Sequence, residues 1–159
     1  MHRNTQLVHD ALEAHGIAPE ILELGAGAHT AQAAADQLEI EIGAIANSLI
    51  FTADDHLILV MTSGAHRVDT KYLATAIGVR KVGRASAEQV RSATGQPIGG
   101  VAPTGHPGPV PTYIDSTLSR FPELWAGAGT PATMLRLTYP ELVRLTNGTE
   151  VDVTNPEEE

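Results

Sequence analysis

The run IGGVAPTGHPGPVPTYI, residues 98–114, decides how this chain is read. It holds Gly99, Gly100, Gly105 and Gly108 together with Pro103, Pro107, Pro109 and Pro111. Proline fixes φ and removes a backbone donor, while glycine admits φ > 0 and lets other groups approach the main chain closely. Neither a regular helix nor a central strand survives that composition. The segment is expected to be a long ordered loop with free backbone N–H groups, of the kind that carries function in compact domains. Its end, Pro111-Thr112-Tyr113-Ile114-Asp115, reads as re-entry into a strand.

Signals on either side are local and mostly structural. Asn4 or Thr5 is positioned to cap a helix that presents Leu7, Val8, Ala11 and Leu12 and stops at Gly16. Glu20–Leu24 is a short strand candidate, and Thr30 caps an alanine-rich helix, Ala31–Leu38. Ser48–Thr52 and Leu57–Thr62 flank Ala53-Asp54-Asp55-His56 and predict an antiparallel hairpin. Asp69 caps a helix through Ile77 that Gly78 ends, and Val79–Val82 reads as a strand. Ser86 with Gln89, and Thr138 with Glu141, form two capping boxes, in which hydroxyl and N3 side chain satisfy each other's orphan amides. The first of these helices stops at Gly95 and the second at Asn147-Gly148. Thr133–Leu137 and Glu150–Val153 complete the strands. Hairpins interleave with helices, without the regular βαβ alternation of a doubly wound sheet.

The loop and two neighbours carry a family resemblance. Gly99-Gly100-Val101-Ala102-Pro103-Thr104-Gly105 resembles the GxxxPxG loop of the YbaK/EbsC family, the ProX-like aminoacyl-tRNA deacylases. Pro111–Asp115 and Ala46-Asn47-Ser48-Leu49-Ile50-Phe51 fit the family pattern, and the similarity runs from about Gly25 to Val153. The resemblance implies an α+β fold, a mixed, strongly curved sheet approaching a barrel and surrounded by helices. It also implies hydrolysis of the ester of a mischarged tRNA, with loop amides polarising the carbonyl. The residues it points to are Asn47, Gly99, Gly100, Val101 and Ala102 for catalysis. The substrate-binding candidates are His29, Ser48, Pro103, Gly105, His106 and Asp115. The family carries lysine where this chain has Asn47. A carboxamide donates and accepts hydrogen bonds but lacks the charge that attracts phosphate. A non-catalytic member of the same fold, binding an aminoacyl-type ligand or a protein partner, is therefore a second reading. A hydrolase of non-tRNA aminoacyl esters or amides is a third.

Composition bounds these readings. At 159 residues the expectation is one domain over residues 1–155 and an acidic, disordered tail at 156–159. The chain has no cysteine, which excludes disulfides and a thiol nucleophile. No HxH or HExxH spacing occurs, and no complete phosphate- or dinucleotide-binding glycine motif, so neither metal nor cofactor is expected. No segment has the roughly 20 apolar residues of a bilayer span, and the N-terminus lacks an apolar signal core; a cytoplasmic protein is expected.

Net charge is −9, which opposes extended binding to DNA or RNA. Six of the ten basic residues nonetheless lie between Arg67 and Arg91. Of these, Arg67, Lys71, Arg80, Lys81 and Arg84 are candidate contacts for the acceptor end of one RNA; a solvated helical surface is the plainer alternative. His106 has the pKa range of an acid–base catalyst, but its place in the loop better suits the lip of a pocket. The resemblance also implies the acceptor end of an aminoacyl-tRNA and an aminoacyl-tRNA synthetase as partners.

Overall fold

The computed structural model describes residues 2–25 and 30–155. In chain order the regular elements are α1 (Arg3–Ala14), β1 (Ile21–Glu23), α2 (Ala31–Leu38), β2 (Ile45–Ala53), β3 (His56–Ser63), α3 (Thr70–Ile77), β4 (Val82–Arg84), α4 (Ala87–Thr94), β5 (Thr112–Asp115), β6 (Leu124–Gly127), β7 (Thr133–Leu137), α5 (Tyr139–Thr146) and β8 (Thr149–Val151). Short 3₁₀ turns at Ile42–Ala44 and Ser116–Arg120 complete it. The strands form one mixed sheet of order β1-β7-β6-β2-β3-β5-β8, with β4 added to β2. β1–β7, β7–β6, β2–β3 and β2–β4 are antiparallel; β6–β2, β3–β5 and β5–β8 are parallel. The sheet stays open between β1 and β8, so the predicted mixed α+β architecture holds and the barrel does not close.

The β2–β3 hairpin is the spine. Asp54 sits at φ +55° in the two-residue turn Asp54-Asp55, the backbone state that matches a tight hairpin to the strand twist. Alternation sends Ala46, Ile50, Leu59 and Met61 into a core with Val8, Leu12, Leu118, Leu135 and Leu142. Phe51, Ala53, Ile58 and Val60 pack instead with Leu73 and Val82, and Ile45 with Ala34, Ala35 and Met134. The spine is thus buried on both faces.

The caps formed as the sequence predicts at Thr30, Asp69, Ser86 and Thr138. Three expectations are corrected. His2, not Asn4 or Thr5, caps α1: its Nδ1 accepts the Asn4 N–H at 3.0 Å. β4 begins at Val82 rather than Val79, because the Arg80 and Lys81 N–H groups donate to the Asp54 carboxylate (3.0 and 2.9 Å) and so belong to a turn. The last strand is Thr149–Val151, ending short of Val153. β6 was not foreseen; its four residues lie between Pro122 and a glycine-rich run.

Candidate functional site: a slot in the edge of β2

One edge of β2 is shared by two short strands. β6 pairs with Ile45–Ala46 and β4 with Phe51–Ala53, so residues 47–50 face no strand on that side. Ile50 C=O accepts the Ala85 N–H across this edge at 3.4 Å, and Gly64 N–H reaches Ile45 C=O on the opposite edge at 2.7 Å. Strand alternation therefore turns the N–H and C=O of Ser48 into the gap. The loop after α4 fills the gap from outside with Gly99 and Val101.

A hollow of about 100 Å³ opens there, lined by Thr30, Ala31, Ala34, Ile45, Ala46, Asn47, Ser48, Leu49, Gly99, Val101, Gly127, Pro131 and Met134. The half-buried Asn47 carboxamide makes no hydrogen bond to a described residue. Its strand alternation places it on the face of Ile45 and α2. The N–H groups of Gly99 and Val101 likewise find no acceptor among the described residues. Free amides beside a small cavity are suited to hold a carbonyl oxygen as it gains negative charge. The Ser48 hydroxyl is engaged elsewhere, donating to Met61 Sδ at 3.3 Å.

The loop is held by contacts the sequence did not announce. Gln96, 1 % exposed, accepts the Ala102 N–H with Oε1 (2.7 Å) and donates from Nε2 to Thr104 C=O (3.2 Å). His106 Nε2 donates to Ala102 C=O at 2.8 Å. Burial holds the His106 pKa below its ordinary value, partly opposed by that hydrogen bond. A Cβ on Gly100 would stand 2.7 Å from the Thr130 carbonyl carbon, and one on Gly127 would stand 2.6 Å from Val101 C=O. The two glycines let the loop lie directly on the Gly127–Pro131 turn. That turn, Gly127-Ala128-Gly129-Thr130-Pro131, is a second glycine-proline signal in the sequence.

Several expected site residues are placed elsewhere. Ala102 N–H is bound to Gln96, and Gly100 N–H donates to Pro97 C=O at 2.9 Å, so neither amide is available to a ligand. Gly100 serves close backbone packing. Pro103, Gly105 and His106 line a different and larger hollow, of about 870 Å³, between the loop, α1 and the end of α5. The two linings share no residue, so size does not locate the free amides. Asp115 is buried at 1 % exposure; its carboxylate accepts the Ser63 and Thr117 N–H groups (both 3.0 Å) and meets His66 Nδ1 at 2.8 Å. It braces the end of β3 rather than lining the hollow. His29 lies outside the described residues.

The basic candidates are dispersed. Arg80 and Lys81 follow the Asp54 turn, six residues of strand from Asn47, or roughly 20 Å. Arg67 and Lys71 flank the start of α3. Only Arg84 of the five borders the slot, at a second hollow beside the first.

Comparison with known proteins places the fold in a family. Residues 26–145 match the aminoacyl-tRNA editing domain. The chain belongs to that family, the YbaK/EbsC type. The uncharacterized protein YwhH of Bacillus subtilis (strain 168) is 30 % identical over 124 residues, 77 % of this chain and 78 % of that one. The Enterococcus faecalis (strain ATCC 700802 / V583) protein named "Putative Cys-tRNA(Pro)/Cys-tRNA(Cys) deacylase EbsC" is 27 % identical over 129 residues, 80 % and 79 % of the two chains. The crystal structure of a "putative trans-editing enzyme for prolyl tRNA synthetase" superposes with a TM-score of 0.88 at 35 % identity, covering 98 % of this chain and 99 % of that one. The mixed α+β sheet is the fold of that trans-editing neighbour. Among the described residues no helix is long and apolar enough to cross a membrane.

Proposed function

We propose that this chain is a trans-editing deacylase that hydrolyses the ester between a small, wrong amino acid and the terminal adenosine of tRNA. The observation that carries the reading is the pair of unengaged amides, Gly99 and Val101, on the wall of the same small hollow as Asn47. Ala31, Ala34, Pro131 and Met134 leave about 100 Å³ there, which suits a short side chain and excludes a large one. Editing is needed for such amino acids because a synthetase pocket separates side chains one methylene apart by only about 10–200-fold.

In this reading water attacks the ester carbonyl carbon. The carbonyl oxygen becomes an oxyanion and accepts from the two amides. Collapse breaks the ester C–O bond, and the ribose oxygen leaves with a proton that originates on the attacking water. One such donor contributes about 2.7–4 kcal/mol to the transition state. Asn47 orients the aminoacyl group by hydrogen bonding, without the charge of the lysine that the family carries there. The likeness to a trans-editing enzyme for prolyl tRNA synthetase supports a synthetase, that one first, as the source of the mischarged tRNA. The absence of that charge favours a second reading, a binding module that has left catalysis.

Hydrolysis of a panel of mischarged tRNAs by wild type, Asn47→Ala and Asn47→Lys decides between them. The deacylase reading expects wild type to clear tRNAs bearing small amino acids and Asn47→Ala to lose that activity. Activity in Asn47→Lys alone would show a binding module instead.

A further inference from the structure

The slot opens on two hollows, and the second extends beyond the groups assigned to the ester chemistry. It is about 220 Å³ and shares Ser48, Leu49, Gly99 and Val101 with the first, so a molecule that fills one reaches the other directly. Phe51, Ala85 and Val90 form its walls. Its mouth is framed by two aliphatic side chains that the chain leaves uncovered, Leu49 at 39 % and Ile98 at 59 % exposure. Arg84 stands on the rim and forms no ion pair among the described residues. An apolar cleft with an unpaired cation at its edge matches a nucleobase followed by a phosphate. Splayed-out bases are held by stacking on apolar side chains and by contacts to their flanking phosphates.

We infer that this second hollow is a purine-nucleotide subsite: the base of the esterified nucleoside packs between Leu49 and Ile98, and Arg84 contacts its 5′ phosphate. The identity of the nucleoside rests on the deacylase reading, since an ester held by Gly99 and Val101 puts its own ribose at the junction of the two hollows. The direction follows from chemistry. Among the described residues the first hollow is lined by neutral side chains and no cation, whereas the second is rimmed by one. Arg84 is then the basic residue that meets RNA at the site, and the rest of the basic cluster is not needed there.

The test is a titration of the full chain with 5′-AMP and, separately, 5′-CMP, following the Leu49 and Ile98 methyl resonances, together with mischarged-tRNA hydrolysis by the same proteins. AMP is expected to shift both methyls and to bind more tightly than CMP. Ile98→Ala should weaken AMP about tenfold, the scale of losing a partly buried aliphatic contact, and raise KM for mischarged tRNA with kcat within about twofold. Arg84→Gln should weaken AMP, flatten its salt dependence and leave unphosphorylated adenosine unchanged. The inference is overturned if AMP leaves these methyls unmoved, if CMP binds equally well, or if Ile98→Ala binds AMP as wild type does. If AMP binds as described while no aminoacyl-tRNA is hydrolysed, the nucleotide subsite stands and the deacylase reading falls. If hydrolysis proceeds without AMP engaging these residues, the subsite alone falls.

Discussion

A methyl group on Gly100 would lie 2.7 Å from the Thr130 carbonyl carbon and 2.9 Å from Pro131 N, against main chain that cannot swing aside. Gly100→Ala should therefore cost about 1–3 kcal/mol, as overpacking does. The same displacement moves the neighbouring amides, so hydrolysis should fall by about 10²-fold or more. Thermal melting and single-turnover hydrolysis read the two effects separately; a variant as stable and as active as wild type would remove Gly100 from the account. His106 gives a second residue-scale prediction. Its folded pKa lies below the ordinary 6.5 because burial disfavours the imidazolium. Between that lowered value and 6.5 the unfolded chain binds more protons, so stability rises with pH across this window and is lost as pH falls through it. His106→Gln should flatten the slope of Tm against pH just below 6.5. An unchanged slope would place the proton uptake on another group. Residue identity alone could not separate these roles: Gly99 and Gly100 are adjacent glycines, yet only the first borders the hollow with its amide unengaged.

At the scale of elements, what was legible is what is local. The capping boxes at Ser86 and Thr138 act within four residues, and α4 and α5 begin where those residues say. The hairpin turn and the stop at Gly78 are equally short-range. β4 was misplaced because the group that holds Arg80 and Lys81 in a turn is Asp54, 26 residues earlier. Gln96 was missed because an isolated glutamine before a proline carries no pattern; only the folded loop shows it bridging Ala102 and Thr104. Gln96→Ala should leave the buried Ala102 N–H without a partner, worth about 1–3 kcal/mol, and free the half-buried Thr104 C=O as well. It should also lower kcat more than it raises KM, since the loop would keep its composition but lose its shape. Thr138→Ala is the matched control. Loss of the α5 cap should cost about 1 kcal/mol and leave kcat unchanged, because α5 contributes no residue to the slot. If both variants lose kcat in proportion to their stability, Gln96 has no special part in shaping the loop.

For the whole molecule, a net charge of −9 and a single bordering arginine set how RNA is met. Few phosphates are neutralised. Log affinity for a mischarged tRNA should fall with log salt with a slope of only about −1 to −2, given about −0.7 per single-strand phosphate. A slope of about −5 or steeper, measured by filter binding across salt, would mean that the dispersed cations at Arg67, Lys71, Arg80 and Lys81 join in. The family and its mixed sheet were legible from the loop and the strand around Asn47. The slot was not, because it is defined by where two strands distant in sequence stop along β2. Its opening is a matter of strand length: β6 covers two residues of that edge and β4 covers three. Lengthening either by a single rung would narrow the mouth without altering any side chain that lines it. Selectivity in such a scaffold can drift through insertions and deletions at the tips of β4 and β6, where a comparison of lining residues alone would detect no change.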